Sequence, residues 1–286
     1  MFAGVVVTRG EPWMVSDASR DGSVLVMSGI NSASGEGAVF ELEPGRIGYR
    51  CEQFVYYSYA GPGDGQPRGD AACPKTSGAP YVPEDTQRPF AEQVALLEEQ
   101  AADLDPPLVV LAHSPAAWVA WQAAADDRLP GPAHLVLIGV FPSSPLTYPP
   151  PGGTGPGSVG GEGFRRLIPL ADLVDFDFAV DAPLARELLA TPDAARDVFA
   201  QPLPGDVEAL AVTATSDLAL MADGWRIEGA VDACPIREAH PYLPITPAFH
   251  RVVDRFLVGE RGAACPPWPE LYRVGAQALG APPHDR

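Results

Sequence analysis

The sequence predicts an α/β protein built on a mostly parallel sheet flanked by helices. Three observations carry this expectation. Short, β-branched apolar runs recur along the chain, segments of helical period lie between them, and the runs are apolar throughout instead of alternating. Continuous apolar runs suit strands buried on both faces, which is the condition of a parallel sheet covered by helices. With 286 residues, 46% of them hydrophobic, the chain can build one sizeable core, and a single domain over 1–286 is expected.

The expected strands, in order, are residues 4–8 (GVVVT), 23–28 (SVLVMS), 53–59 (QFVYYSY), 107–112 (PLVVLA), 134–140 (HLVLIGV) and 207–213 (VEALAVT), with a further possible strand over 231–238. Residues 90–104 place Phe90, Val94, Leu97 and Leu104 at near-helical spacing, and Asp85 or Thr86 offers a cap. Residues 115–126 are Ala-rich and follow a strand directly. Residues 247–258 begin with Pro at a first-turn position and carry Phe249, Val252, Val253 and Phe256 on one face. One segment breaks the strand–helix rhythm. Residues 142–163 are dominated by Pro, Gly, Ser and Thr, and 164–204 read as short helices, so a lid insertion is expected over about 142–204. The tail, about 262–286, holds one short helical stretch at 269–279, and no internal repeat is visible.

Charge and composition exclude several functions. A net charge of −18, from 19 basic and 37 acidic residues, opposes a phosphate-backbone binder and anionic membrane surfaces, so no nucleic-acid partner is expected. The most apolar long window, 107–125, is interrupted by His113, Ser114, Pro115 and Gln122, too polar for a transmembrane segment. The first residues lack the features of a signal peptide. No dinucleotide or P-loop motif is present, and no cofactor or metal is expected. Cys51, Cys73, Cys234 and Cys265 form no CxxC pair. Local bridges 51–73 and 234–265 are the preferred arrangement, which would place the protein outside the cytosol; four reduced thiols and a cytoplasmic protein are the alternative.

The segment PLVVLAHSPAAWVAW is the most informative. A buried strand ends at Ala112, the chain turns through His113, Ser114 and Pro115, and an Ala-rich helix follows. A Ser-Pro pair is also an ordinary helix start, with Ser as N-cap and Pro at the first helical position. The surrounding order favours the other reading. From about residue 23 to 258 the chain resembles the α/β-hydrolase fold, and AHSPA resembles the lipase/esterase elbow G-H-S-x-G, with Ala112 and Ala116 standing where that motif has its glycines.

The resemblance implies a serine nucleophile at Ser114, an orienting acid at Asp217 after the strand 207–213, and a general base at His240 in a loop before the last helix. Asp223 and Asp232 are substitutes for the acid. His250 competes with His240, but its spacing to Asp254 suits an exposed i,i+4 pair; His113 is expected to point away from Ser114. Gly29, Ile30 and Asn31, after the strand 23–28, resemble the family's oxyanion loop. Trp118, Trp121, Phe141, Tyr148 and Phe164 would be core or would line an apolar acyl pocket.

One departure matters. Pro115 has no backbone N–H, whereas the residue after the nucleophile normally donates one to the oxyanion; losing such a donor costs roughly 10²–10³ in turnover. The loop Gly29–Asn31, or a side chain such as Asn31 or Ser32, would have to compensate; otherwise the loss is total. Two functions follow: a hydrolase acting on a small-molecule ester or thioester through an acyl-enzyme, or a weak or inactive hydrolase-like module that binds an apolar ligand or a protein partner.

Overall fold

The computed structural model describes residues 16–17, 19–65, 67, 71–73, 78–140, 161–163, 165–166, 179–191, 193–214 and 227–261. The expected strand 4–8, most of the lid insertion and the tail lie outside them. Six described strands form one sheet: β1 (Ser23–Met27), β2 (Phe54–Tyr56), β3 (Leu108–His113), β4 (Ala133–Ile138), β5 (Val207–Val212) and β6 (Ala230–Asp232). Their spatial order is β2-β1-β3-β4-β5-β6 and every pairing is parallel. This is the α/β architecture the sequence predicts. The central strands β1 and β3 are buried almost end to end, as their unbroken apolar runs require.

Four described α-helices flank the sheet: α1 (Phe90–Ala101), α2 (Ala116–Ala125), α3 (Ala194–Phe199) and α4 (Pro247–Leu257). The first of these starts after Pro89, not at a side-chain cap. Asp85 and Thr86, expected as caps, instead close the preceding turn Pro83–Gln87: Asp85 accepts the Val82 N–H, and the Thr86 hydroxyl donates to the Pro83 carbonyl. The N–H of Phe90 donates to Glu187, 2.8 Å away. Helix α2 is buried almost all round, and Trp118 and Trp121 sit in the core against Phe199 of α3, at centroid distances of 6.5 and 5.3 Å. Within the expected lid, therefore, 194–201 packs on α2, fixed further by the Trp121 indole N–H on the Gln201 carbonyl.

Helix α4 is capped by Thr246, whose hydroxyl accepts the Phe249 N–H, and it buries Phe249, His250, Val253 and Phe256. His250 is thus not the exposed partner of Asp254. Asp254 instead takes Arg20 at 2.5 Å and the Ser16 hydroxyl at 2.7 Å. The possible strand at 231–238 reduces to β6 and an isolated bridge from Ala214 to Ile236. Cys51 and Cys73 form the expected disulfide. Cys234 is also disulfide-bonded, and its expected partner Cys265 lies outside the described residues.

Two outcomes are expected. The Cys51–Cys73 bridge closes a loop with a sequence separation of 22. Replacing both cysteines by Ser should lower the unfolding free energy by about 3 kcal/mol in a urea titration, because the open loop gains entropy in the unfolded chain. Burial, with Arg46 adding to it against an opposing Glu43, pushes the His250 pKa down to about 4. The unfolded histidine, near its ordinary value of about 6.5, then takes a proton before the folded one does. The stability that neutral His250 confers is full above that value and is lost as pH falls toward 4. Between about pH 7 and about pH 4.5, wild type should lose on the order of 2 kcal/mol more than His250→Leu.

Candidate active site

In an all-parallel sheet every strand delivers its carboxyl end to the same edge, and ligand sites of open α/β sheets gather there. Here that edge receives Gly29 after β1, Ser114 after β3, Gly139 after β4 and, beyond β6, the 3₁₀ turn His240–Ile245.

Ser114 stands between β3 and α2 with φ of +59°, one of the few described non-glycine residues in the left-handed region. An N-cap serine has extended backbone angles and bonds its side chain to the first helical turn. Ser114 does neither; the residue flanking α2 is Pro115, with φ −63° and ψ −18°, and no side chain caps the helix. The ordinary helix-start reading of Ser-Pro therefore fails. A left-handed serine costs on the order of 1–3 kcal/mol and persists only where its surroundings hold it. The hold is visible: its N–H donates to the Ile138 carbonyl at 2.7 Å, and its carbonyl accepts the Ala117 N–H at 3.0 Å. Ala112 and Ala116 are both buried, where larger side chains would crowd the turn.

Gly29 approaches the elbow closely. A Cβ on it would fall 3.1 Å from the Ser114 Cβ and 3.1 Å from the His113 Nδ1. His240 lies over Gly139, whose φ is +62° and where a Cβ would come within 2.5 Å of the imidazole Cε1. The His113 ring is 4.8 Å from the His240 ring, centroid to centroid. Ser114 and His240 are both partly exposed. The described geometry thus gathers Ser114, Gly29, His113, Gly139 and His240 at one edge. It does not include Asp217 or its substitute Asp223, which lie outside the described residues together with Phe141, Tyr148 and Phe164; Asp232 belongs to β6.

The loop after β1 is braced from below. The Asn31 N–H donates to the Thr86 hydroxyl at 2.7 Å, and its side-chain carbonyl accepts from Gln87 at 3.0 Å. The Ser32 hydroxyl lies 2.7 Å from both the Ser28 hydroxyl and the Gly29 carbonyl. Tyr81 meets the Ser28 hydroxyl and Tyr59 the Ser28 carbonyl, each at 2.5 Å. Burial pushes the Tyr81 phenol up to about 12, so it stays a neutral hydrogen-bonding group. The Asn31 N–H and the Ser32 hydroxyl, two of the donors considered in place of the missing Pro115 N–H, are therefore already engaged.

His113 departs from expectation. It does not turn away from the site but packs on the His240 ring, and burial holds its pKa down to about 3. At this point the regular strand ends: His113 is the last residue of β3, and Ser114 turns left-handed. Among the described residues no cluster of His, Cys, Asp or Glu is able to hold a metal ion, and no described helix is long and apolar enough to cross a membrane.

No protein-family model matches the chain, and no curated protein sequence matches it significantly. Among solved structures it is similar to the RedJ thioesterase from the prodiginine biosynthetic pathway in Streptomyces coelicolor, at 20% identity, covering 90% of this chain and 96% of that one with a TM-score of 0.38. It is also similar to RedJ with a PEG molecule bound in the active site, at 18% identity, covering 90% and 98% of the two chains with a TM-score of 0.37. At that distance neither structure assigns a role to any residue of this chain.

The contact between Gly139 and His240 gives a direct test. Gly139→Ala should displace the His240 imidazole and shift its ring resonances, besides losing about 1–2 kcal/mol to the left-handed backbone. Gly259→Ala, at φ +78° with open space around the added carbon, should show a similar loss of stability and leave the His240 resonances in place.

Proposed function

We propose that the chain is a serine hydrolase acting on a small-molecule carboxylic ester or thioester through an acyl-enzyme. The observation that carries this reading is the left-handed Ser114 at the strand–helix elbow, with its Cβ beside Gly29; an elbow of this kind is how a nucleophilic serine is presented. On this reading the Ser114 Oγ attacks the acyl carbon while the His240 imidazole takes its proton. The alcohol or thiol then leaves with that proton, and water releases the acyl group by the same steps in reverse roles. Asp217, after β5, is the acid proposed to orient His240. The negative oxygen of the tetrahedral intermediate falls to the loop Gly29–Asn31. Because the Asn31 N–H is committed to Thr86, Ile30 is the favoured donor in that loop. The Cys51–Cys73 bridge supports an oxidising compartment as the place of work.

Pro115 favours a second reading, an inactive hydrolase-like module that binds a ligand or partner through the same edge. The two separate on purified protein. The hydrolase should label with a fluorophosphonate at Ser114 and turn over p-nitrophenyl esters of short and medium chain. Ser114→Ala should abolish the label and lower turnover by roughly a thousandfold or more. Folded wild type that neither labels nor turns over ester would move the assignment to the binding module.

A further inference from the structure

His113 is the side chain at the sheet edge that touches both loops of the candidate site and has no part in the steps above. It is the last residue of β3. Its Nε2 lies 3.3 Å from the main-chain carbonyl oxygen of His240, and its ring faces the His240 ring at 4.8 Å with a 43° tilt. On its other side a Cβ at Gly29 would fall 3.1 Å from its Nδ1, so the imidazole is wedged between the loop after β1 and the turn that carries His240. A carbonyl oxygen only accepts, so the contact requires the proton on Nε2 and leaves Nδ1 bare. Burial first, and the adjacent His240 second, hold the ring neutral to about pH 3, against a small opposing effect of the His240 main chain. A neutral ring in a single tautomer is a fixed strut, and it adds no positive charge beside His240 when that residue takes a proton.

We propose that His113 is a positioning residue: its Nε2–H ties down the His240 main chain, and its ring sets the plane of the His240 imidazole. The proposal rests on Ser114 and His240 being the reacting pair, and its tests separate the two ideas. In wild type, a long-range ¹H–¹⁵N spectrum of the histidines should show His113 protonated at Nε2 and bare at Nδ1; the opposite tautomer overturns the proposal. His113→Phe keeps a ring but loses the donor, and His113→Asn has a donor that stops at the δ position. Both should lower kcat tenfold or more with KM within twofold of wild type. His113→Gln, whose amide reaches the ε position, should recover kcat to within threefold. Equal losses in all three variants would make His113 a space-filling residue only, and unchanged kcat in Phe and Asn would do the same. Thermal melts check folding, and if Phe fails to fold, the contrast of Asn with Gln decides. Turnover that survives Ser114→Ala would sink the hydrolase reading instead, while the tautomer in wild type would still decide the contact.

Discussion

A serine held at φ +59° between a buried strand and a buried helix is the constraint on which the rest of the sheet edge depends. The strain is local, and what balances it is not. The Ser114 N–H reaches across to β4 at Ile138, so the elbow is stable only while β3 and β4 stay in register. Ala112 and Ala116 must remain small, and Gly29 must lack a side chain, because the backbone after β1 approaches the Ser114 Cβ. Gly139 must lack one as well, for it supports the His240 ring. Neighbouring strands thus each contribute an absence of atoms, and the cavities left by those absences are filled by His113 and His240.

The fold was legible because its signal is redundant. Apolar runs at β1, β3, β4 and β5 each specify a doubly buried strand, and an error in one would not change the architecture. The edges were less legible for the same reason turned round. The run 53–59 yields only Phe54–Tyr56 in the ladder, because beyond it the Ser58 N–H is taken by the Gln100 side chain and Tyr59 turns to Ser28. At His250 the i,i+4 spacing to Asp254 was real, but spacing does not say which face a helix buries. Phe249, Val253 and Phe256 fix that face, and Arg20, distant in sequence, claims Asp254.

The candidate site was legible in part, and the division follows the range of the interactions. The elbow at Ser114 could be read from local sequence, since it is written in adjacent residues. His113 was misplaced because its environment is made by Gly29 and His240, which lie far away along the chain. The bracing of the loop after β1 by Thr86, Gln87, Tyr59 and Tyr81 left no sequence motif at all. Such support is assembled from single polar residues on separate turns, each satisfying one buried group, and only the folded chain brings them together.

Pro115 ties these threads into one trade. Its ring fixes φ near the helical value, and the N–H it lacks is one that no helical hydrogen bond would have used, so at the start of α2 it stiffens the elbow at little cost to the helix. The same residue leaves the position after Ser114 without a backbone N–H. In the loop after β1, the Asn31 N–H is engaged by Thr86 and the Ser32 hydroxyl by Ser28 and Gly29. Stiffness is therefore obtained on both sides of the serine, by a proline ring after it and by engaged polar groups in the loop after β1. A site built this way has little freedom to reorganise. For the proposed hydrolysis, transition-state stabilisation would then have to be present already in the resting geometry, which is the condition under which a few fixed dipoles act most strongly.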